Sequence, residues 1–207
     1  MTVDAGVRRE SSRSKRGNIL AAAIEQFGRV GYEHTKWASI ADEVGIGQTA
    51  LYHYFESKAH CLLTIMRLEL ADSVDRFLTA IEDETEPEQA LRAAVAAALR
   101  AAPTDALQRR ILQNHMDLLA APRQSAKEEA ERLRSRELVQ KIEQNWTELI
   151  ARGIDTGVFA SGDPRILGRL VLGVVISVWR WYRPDGDLTL AQITETVTDA
   201  AVRMVRK

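Results

Sequence analysis

The sequence contains one cysteine, Cys61, so it cannot form an intramolecular disulfide, and this indicates a reducing compartment. It also lacks an apolar run of the ~20 residues that a membrane-spanning helix requires. The most apolar stretch, from Leu170 to Trp181, is shorter and contains Arg180. The N-terminal residues include no apolar signal segment. We therefore expect a cytoplasmic protein with no membrane partner.

The sequence also has little of what an enzyme active site needs. It contains no phosphate-cradling Gly-rich loop, no Ser in a nucleophile turn and no Cys/His spacing typical of zinc. Its histidines are scattered, and His115 and Asp117, two residues apart on a predicted helix, point to different faces. We expect no catalytic residues, no metal site and no cofactor. A helical enzyme with a hydrophobic substrate pocket is the weaker alternative.

The charge is nearly balanced, with a formal net charge of -1 over 207 residues. This excludes a uniformly basic nucleic-acid-binding surface but permits a local patch. Residues 8–16 form such a patch, with five basic residues and one acidic residue. We expect residues 1–13 to be a disordered basic arm. A solvated tail and a DNA-contacting arm are both compatible with this composition.

The segment from Thr35 to Lys58 predicts two short helices. Ile40, Ala41 and Val44 form one apolar stripe, Thr35 is a candidate N-cap, and a Gly-Ile-Gly break follows. The second helix runs from about Gln48 to Tyr54. Two short helices joined by a tight turn form a helix-turn-helix, whose second helix can enter the DNA major groove.

The outward stripe of the second helix has side chains that can bond base edges and phosphates. The N-terminus of the first helix is a further candidate phosphate site, because its backbone N–H groups and dipole favour an anion. For Trp37, ordinary partial burial against the neighbouring helices is an equal alternative to a phosphate contact. The predicted DNA contacts are Lys36, Trp37, Gly47, Gln48, Thr49, Tyr52, His53, Tyr54 and Lys58.

Helical periodicity continues through the whole chain, so we predict an all-α fold of about nine helices. A helix from about Ser14 completes a three-helix DNA-binding head over residues 14–57. A long helix from about Lys58 to Ile81, capped by Ser57, joins the head to a larger domain over residues 58–207. Its inner stripe is apolar except for Glu69 and Ser73.

The last two predicted helices indicate a homodimer. The helix from Pro164 to Arg183 is apolar on nearly every side. One face must therefore pack on the core of the same chain, and another face must pack on a further surface. Two such helices per chain suit a two-fold four-helix interface. One large monomeric core is the alternative. The predicted interface residues are Leu167, Val171, Val174, Val178, Trp181, Ile193, Val197 and Met204.

Several of these segments resemble the TetR family of bacterial one-component repressors. The similarity includes Ile19 to Ala23, Phe27, Gly31-Tyr32 and Ile40-Ala41, and it is densest over Ala50 to Lys58, so it spans about the first third of the chain. The resemblance implies a homodimeric repressor of a palindromic operator. It also implies a small molecule that binds inside the larger domain and moves the long connecting helix, releasing the DNA.

Candidate effector contacts lie on the helices expected to surround one cavity, although core packing would place the same residue types there. They are Phe77, Ala94, Ala98, His115, Trp146, Ile176 and Trp179. A ligand-independent architectural DNA-binding dimer is a third hypothesis, and it would need no cavity.

The segment from Ser177 to Thr189 resembles the corresponding part of repressors of steroid and fatty-acid breakdown, some of which respond to CoA thioesters. Where such proteins offer an Arg and an aromatic residue, this chain has Leu172 and Ile176. A small hydrophobic or aromatic effector therefore fits these residues better than an acyl-CoA, which is kept as the alternative.

Overall fold

A computed structural model of the chain describes residues 3–207, with side chains from Ser14 onward except at positions 103 and 104. These residues form nine α-helices and one 3-10 turn, so the predicted all-α fold is confirmed. The helices are α1 (Val3–Arg29), α2 (Trp37–Val44), α3 (Gln48–Tyr54), α4 (Lys58–Ile81), α5 (Pro87–Leu99), α6 (Pro103–Asn114), α7 (Ala126–Asp155), α8 (Pro164–Trp181) and α9 (Leu190–Val205).

The first helix begins at Val3, about eleven residues before the expected start at Ser14. The helix thus includes residues 3–13, which the sequence analysis expected to be a disordered arm, while residues 1 and 2 and the side chains of the basic arm lie outside the description. Gly17 lies inside the helix. A single interior glycine costs a helix only about 1 kcal/mol relative to alanine, and no proline follows it before the helix ends.

Helices α1, α2 and α3 form the predicted head around a small apolar core. Ile19, Phe27, Ile40, Leu51 and Phe55 are buried in it. The turn between α2 and α3 depends on Gly45, whose φ of 70° lies in the left-handed region that favours glycine.

Thr35 is not the N-cap of α2 as expected, because Lys36 occupies that position. The Thr35 side chain is turned toward the end of α1 instead. Its hydroxyl donates to the carbonyl oxygen of Gly31 at 2.8 Å. Gly31 has a φ of 94°, and this left-handed turn brings its carbonyl within reach of Thr35.

The connecting helix α4 begins at the predicted cap, since the Ser57 hydroxyl accepts from the backbone N–H of His60 at 2.8 Å. Its first half packs in the head core through Cys61 and Leu70, and its second half packs in the core of the larger domain through Phe77. The α4 helix is therefore a structural element of both domains. None of the described helices is long and apolar enough to cross a membrane.

The larger domain differs from expectation at α6, which ends at Asn114 rather than near Ala121. His115 leaves the helix with φ -124° and ψ 18°, and a 3-10 turn from Met116 to Leu119 follows. The long helix α7 starts at its cap, Ser125, whose hydroxyl accepts from the N–H groups of Lys127 and Glu128.

Candidate DNA-binding surface and effector cavity

The exposed side of α3 carries most of the predicted DNA contacts. Helical periodicity buries Leu51 and leaves Gln48, Thr49, Tyr52 and His53 exposed, with half of the Tyr52 side chain accessible. Gly47 precedes the helix as its N-cap and is also exposed. We call Gln48, Thr49, Tyr52 and His53 the recognition surface. Its amide, hydroxyl and imidazole groups can donate to and accept from base edges.

The N-terminus of α2 is the second predicted DNA contact of the head. Lys36 is exposed at the N-cap and forms no side-chain cap hydrogen bond, so the N–H groups of Trp37 and Ala38 are available to an anion, while that of Ser39 donates to the Lys36 carbonyl at 3.1 Å. Trp37 is half-buried and packs on the head core, which is the packing alternative. Its indole Nε1 has no acceptor among the described residues. Tyr54 is also half-buried against the head core.

The structure gives Lys58 a different role from the expected phosphate contact. Its Nζ donates to the carbonyl oxygens of Tyr32 at 2.7 Å and Thr35 at 3.0 Å. The same ammonium lies 4.3 Å from the centre of the Tyr32 ring. These contacts direct the charge into the head, where it ties α4 to the turn between α1 and α2.

A cavity of about 180 Å³ lies inside the larger domain, between α4, α5, α6, α7 and α8. It is smaller than the several hundred Å³ typical of drug-sized pockets. Six of the seven predicted effector contacts line it, namely Phe77, Ala94, Ala98, Trp146, Ile176 and Trp179. The Phe77 and Trp146 rings lie 5.2 Å apart on its wall. The structure therefore brings these six residues, from four separate helices, to the wall of one cavity.

His115, the seventh candidate, lies outside this cavity. Because α6 ends one residue before it, its side chain lies against the head instead, with its ring 5.5 Å from the Tyr32 ring in an edge-on arrangement. Burial lowers the pKa of His115 below its ordinary value, against the opposing effect of Asp117 and Glu33. His115 thus belongs to the contact between the two domains.

Four charged side chains at the cavity, Glu69, Arg76, Arg109 and Glu143, were not predicted as effector contacts. Glu69 Oε1 accepts from Arg76 Nη2 at 2.8 Å and from Arg109 Nε at 3.1 Å. Glu69 and Arg109 are at least 95% buried. Burial lowers the pKa of Arg109, and the neighbouring Glu69 carboxylate partly offsets this effect. The position of Glu69 on the apolar stripe of α4 was the available sequence signal.

Half of the predicted dimer contacts belong instead to the chain's own core. Val171, Val178, Ile193 and Val197 are buried, so these four positions are corrected. The outward face of α8 contains two further apolar residues that the prediction missed, Ile166 and Leu170. We define the α8 surface as Ile166, Leu170, Val174 and Trp181, of which all but Val174 are at least half exposed. Leu167 and Val174 are half-buried, and Met204 and Trp181 are exposed.

The head also contacts the start of α7. The Ser57 hydroxyl donates to Glu128 at 2.6 Å, and the Ser125 hydroxyl donates to Glu56. Lys127 Nζ lies 3.6 Å from the Glu56 carboxylate. Since α7 also lines the cavity through Trp146, one continuous helix connects the cavity with the end of the head.

Two family models match the chain along these two regions. The family described as "Bacterial regulatory proteins, tetR family" matches residues 19–65, which include the helix-turn-helix. The family described as "Tetracyclin repressor-like, C-terminal domain" matches residues 84–205, more than half of the chain. The chain belongs to the TetR family. As a TetR-family protein it is a DNA-binding transcriptional regulator, and the head described above is its DNA-binding domain.

Individual TetR-family members are similar over most of their length. The HTH-type transcriptional repressor KstR2 of Mycobacterium tuberculosis is 27% identical over 181 residues, which are 87% of each chain. The structure of the TetR-family regulator PfmR from Thermus thermophilus matches with a TM-score of 0.77 and 29% identity, covering 89% of this chain and 97% of PfmR.

A second similar structure contains both DNA and a small molecule. AibR in complex with isovaleryl coenzyme A and operator DNA has a TM-score of 0.73 and 23% identity, covering 93% of this chain and 98% of AibR. At this identity the similarity supports the shared fold alone.

Proposed function

We propose that this TetR-family protein is a homodimeric repressor, acting in the cytoplasm, that a small effector in the larger domain releases from a palindromic operator. The observation that carries the proposal is one helix, α4. It begins at Lys58, shortly after α3, which carries the recognition surface, and its Phe77 lines the cavity. Any change in cavity shape that moves α4 therefore moves the head.

The recognition surface supports the DNA half of the proposal. Its four side chains are exposed on a helix of seven residues, which is too short to read more than a few base pairs. Two-fold dimers overcome this limit, because they place two recognition helices in successive major grooves about 34–36 Å apart. We assign the base contacts to the recognition surface and phosphate contacts to Lys36 and the α2 N-terminus.

The α8 surface supports the dimer. Ile166, Leu170 and Trp181 are half exposed on one helix face, which is a large apolar area for a monomer surface. Gly173 lies between them, and a Cβ at that position would meet nothing within 4 Å. A second copy of α8 would cover this face in an isologous contact, with the exposed Met204 of α9 beside it.

The experiment that tests the proposal is fluorescence anisotropy of a labelled promoter fragment taken from beside the protein's own gene. We expect nanomolar binding by a dimer at moderate salt, and loss of binding when the cavity is occupied. Sedimentation velocity of the same sample gives the oligomeric state. Tight binding that no cavity ligand alters would favour the ligand-independent architectural dimer instead.

A further inference from the structure

The buried charges at the cavity specify what kind of effector it takes, an inference that rests on the proposed function. Two guanidinium groups, from Arg76 and Arg109, share one carboxylate, from Glu69. The side chains of the cluster that are at least 85% buried therefore have one positive charge in excess, and the half-buried Asp105 near Arg109 offsets it only in part. Asp72 also pairs with Arg76, but its side chain is 61% exposed, so solvent weakens its compensation.

One buried hydrogen-bond donor of this cluster is unsatisfied. Arg76 Nε is buried and has no acceptor among the described residues, and Arg76 lines the cavity. A buried donor without an acceptor is unfavourable, and more so when the group is charged. Because Nε itself has almost no accessible surface, a ligand acceptor would remove that penalty only if the Arg76 side chain turned toward the cavity.

Arg109 is held in place by contacts on several sides. Its Nη1 donates to the carbonyl oxygen of Ala98 at 3.1 Å, its Nε donates to Glu69, and its guanidinium carbon lies 4.7 Å from the centre of the Trp179 ring. A guanidinium fixed in this way is preorganised, and its Nη2, which makes no hydrogen bond among the described residues, is the donor left for a ligand carboxylate.

The rest of the cavity wall is mainly apolar and aromatic. Phe77, Trp146 and Ile176 face the same space as the charged cluster. Its volume of about 180 Å³ is close to the roughly 150 Å³ of an engineered apolar cavity that binds benzene. The remaining acidic side chain of the wall, Glu143, pairs with the exposed Arg169 at 3.1 Å and so does not neutralise the cluster.

We propose that the effector is a small monocarboxylic acid, with one ring or a short branched chain, whose carboxylate binds Arg76 and Arg109 beside Glu69. The apolar body of the acid lies against Phe77 and Trp146. The single negative charge of such an acid balances the excess positive charge of the cluster, whereas the phosphates of a CoA thioester would bring several negative charges. The carboxylate shares the two arginines with Glu69, so the ligand and Glu69 compete for the same donors.

The first test uses the unmodified dimer and requires no substitution. Isothermal titration compares benzoate and cyclohexanecarboxylate with the matching neutral amides and methyl esters, and with benzoyl-CoA. We expect each acid to bind at least tenfold more tightly than its amide or ester. Amides or esters that bind as well as the acids, or binding by the thioester alone, would overturn the proposal.

The second test uses two substitutions that act in opposite directions. Glu69→Gln removes the competing carboxylate and should tighten acid binding several-fold, while Arg76→Gln should weaken it about tenfold. Binding of the neutral amide should change less than threefold in both variants. If acid affinity falls equally in both, the cluster has only a structural role and the proposal fails. Circular dichroism melting identifies any variant that does not fold, in which case the first test decides.

Anisotropy with promoter DNA separates this inference from the proposed function. If neutral compounds release the DNA and acids do not, the inference fails and the repressor proposal stands. If the protein does not bind DNA in any condition, the repressor proposal fails, and acid binding in the titration still tests the cavity chemistry on its own.

Discussion

Arg109 and Arg110 are adjacent in α6, yet their guanidinium groups bind different domains. Arg109 donates to Glu69 and to the Ala98 carbonyl at the cavity, both at 3.1 Å. Arg110 Nη2 donates to the carbonyl oxygen of Gly28 in α1 at 3.0 Å. The packing there is close, since a Cβ on Gly28 would lie 2.9 Å from Leu107 of α6. A ligand that shifts Arg109 therefore acts on a helix in direct contact with the head.

This relationship makes Arg110 a transmission residue that does not touch the cavity. We expect Arg110→Met to leave effector affinity within twofold while reducing the effector-induced loss of DNA affinity several-fold. The measurement is anisotropy with the tightest-binding compound of the acid, amide and ester series. Arg100→Met, at an exposed arginine after α5, is the matched control and should change neither quantity. Unaltered release by Arg110→Met would show that α6 does not carry the signal through this contact.

Lys36 and Lys58 should differ in their effect on the salt dependence of DNA binding. Lys36→Ala should reduce the slope of log affinity against log salt by about one for each phosphate that is no longer bound, or about two per dimer. Lys58→Met should leave the slope unchanged, because that ammonium bonds two carbonyl oxygens of the head. It should instead lower the melting temperature. The assignment is wrong if Lys58→Met flattens the salt dependence as much as Lys36→Ala.

If the α8 surface forms the dimer interface, a charge at Leu170 should break the dimer without disturbing the monomer. Its side chain is 52% exposed in the single chain, so Leu170→Asp should give folded monomers with much weaker operator binding. Leu133 on α7 is similarly exposed at 47%, and Leu133→Asp is the matched control that should stay dimeric. Sedimentation velocity distinguishes the two. A Leu170→Asp dimer as tight as the parent would exclude the α8 surface as the interface.

Two histidines, the buried His60 and the half-buried His115, should make the protein less stable at mildly acidic pH. Burial lowers the pKa of both side chains. Both therefore prefer the neutral form when folded, so the free energy of unfolding falls as the pH drops below the ordinary histidine pKa of about 6.5. Glu129 does not contribute in this range, because its hydrogen bonds with Arg132 hold its pKa at about 2.

The histidine prediction is tested by urea unfolding at pH 7.5 and at pH 5.5. We expect His115→Phe, which keeps an aromatic ring beside Tyr32, to lose less stability between the two pH values than the parent protein does. His34, exposed in the turn after α1, provides the control substitution His34→Phe. Equal losses in the parent and in His115→Phe would mean that His115 does not titrate in this window.

The sequence predicted the features that local periodicity determines. Because helix geometry fixes the angle between adjacent side chains, Leu51 faces the core and Tyr52 faces solvent. The glycines of the turn mark where the two helices end. Six of the seven predicted cavity residues line the cavity because small and aromatic side chains on inward stripes converge there. His115 was misplaced because nothing in its neighbourhood marked the early end of α6.

Features that depend on distant residues were not predictable in the same way. The Glu69–Arg109 pair joins residues forty positions apart on different helices, and no local pattern encodes that contact. The α8 helix is apolar on nearly all sides, so periodicity could not separate its buried Val178 from its exposed Leu170. Packing against α7 determines which side of α8 is buried, since a Cβ on Gly168 would lie 3.2 Å from the α7 backbone.

The most direct test of the central claim is selection of duplexes from a random DNA pool by the purified protein, followed by sequencing. We predict enrichment of an inverted repeat whose half-site centres lie one helical turn, or a multiple of one, apart, with enrichment lost for Gln48→Ala/Tyr52→Ala. An unenriched pool, or a single half-site bound by one chain, would contradict the account of two recognition helices held in register by the larger domain.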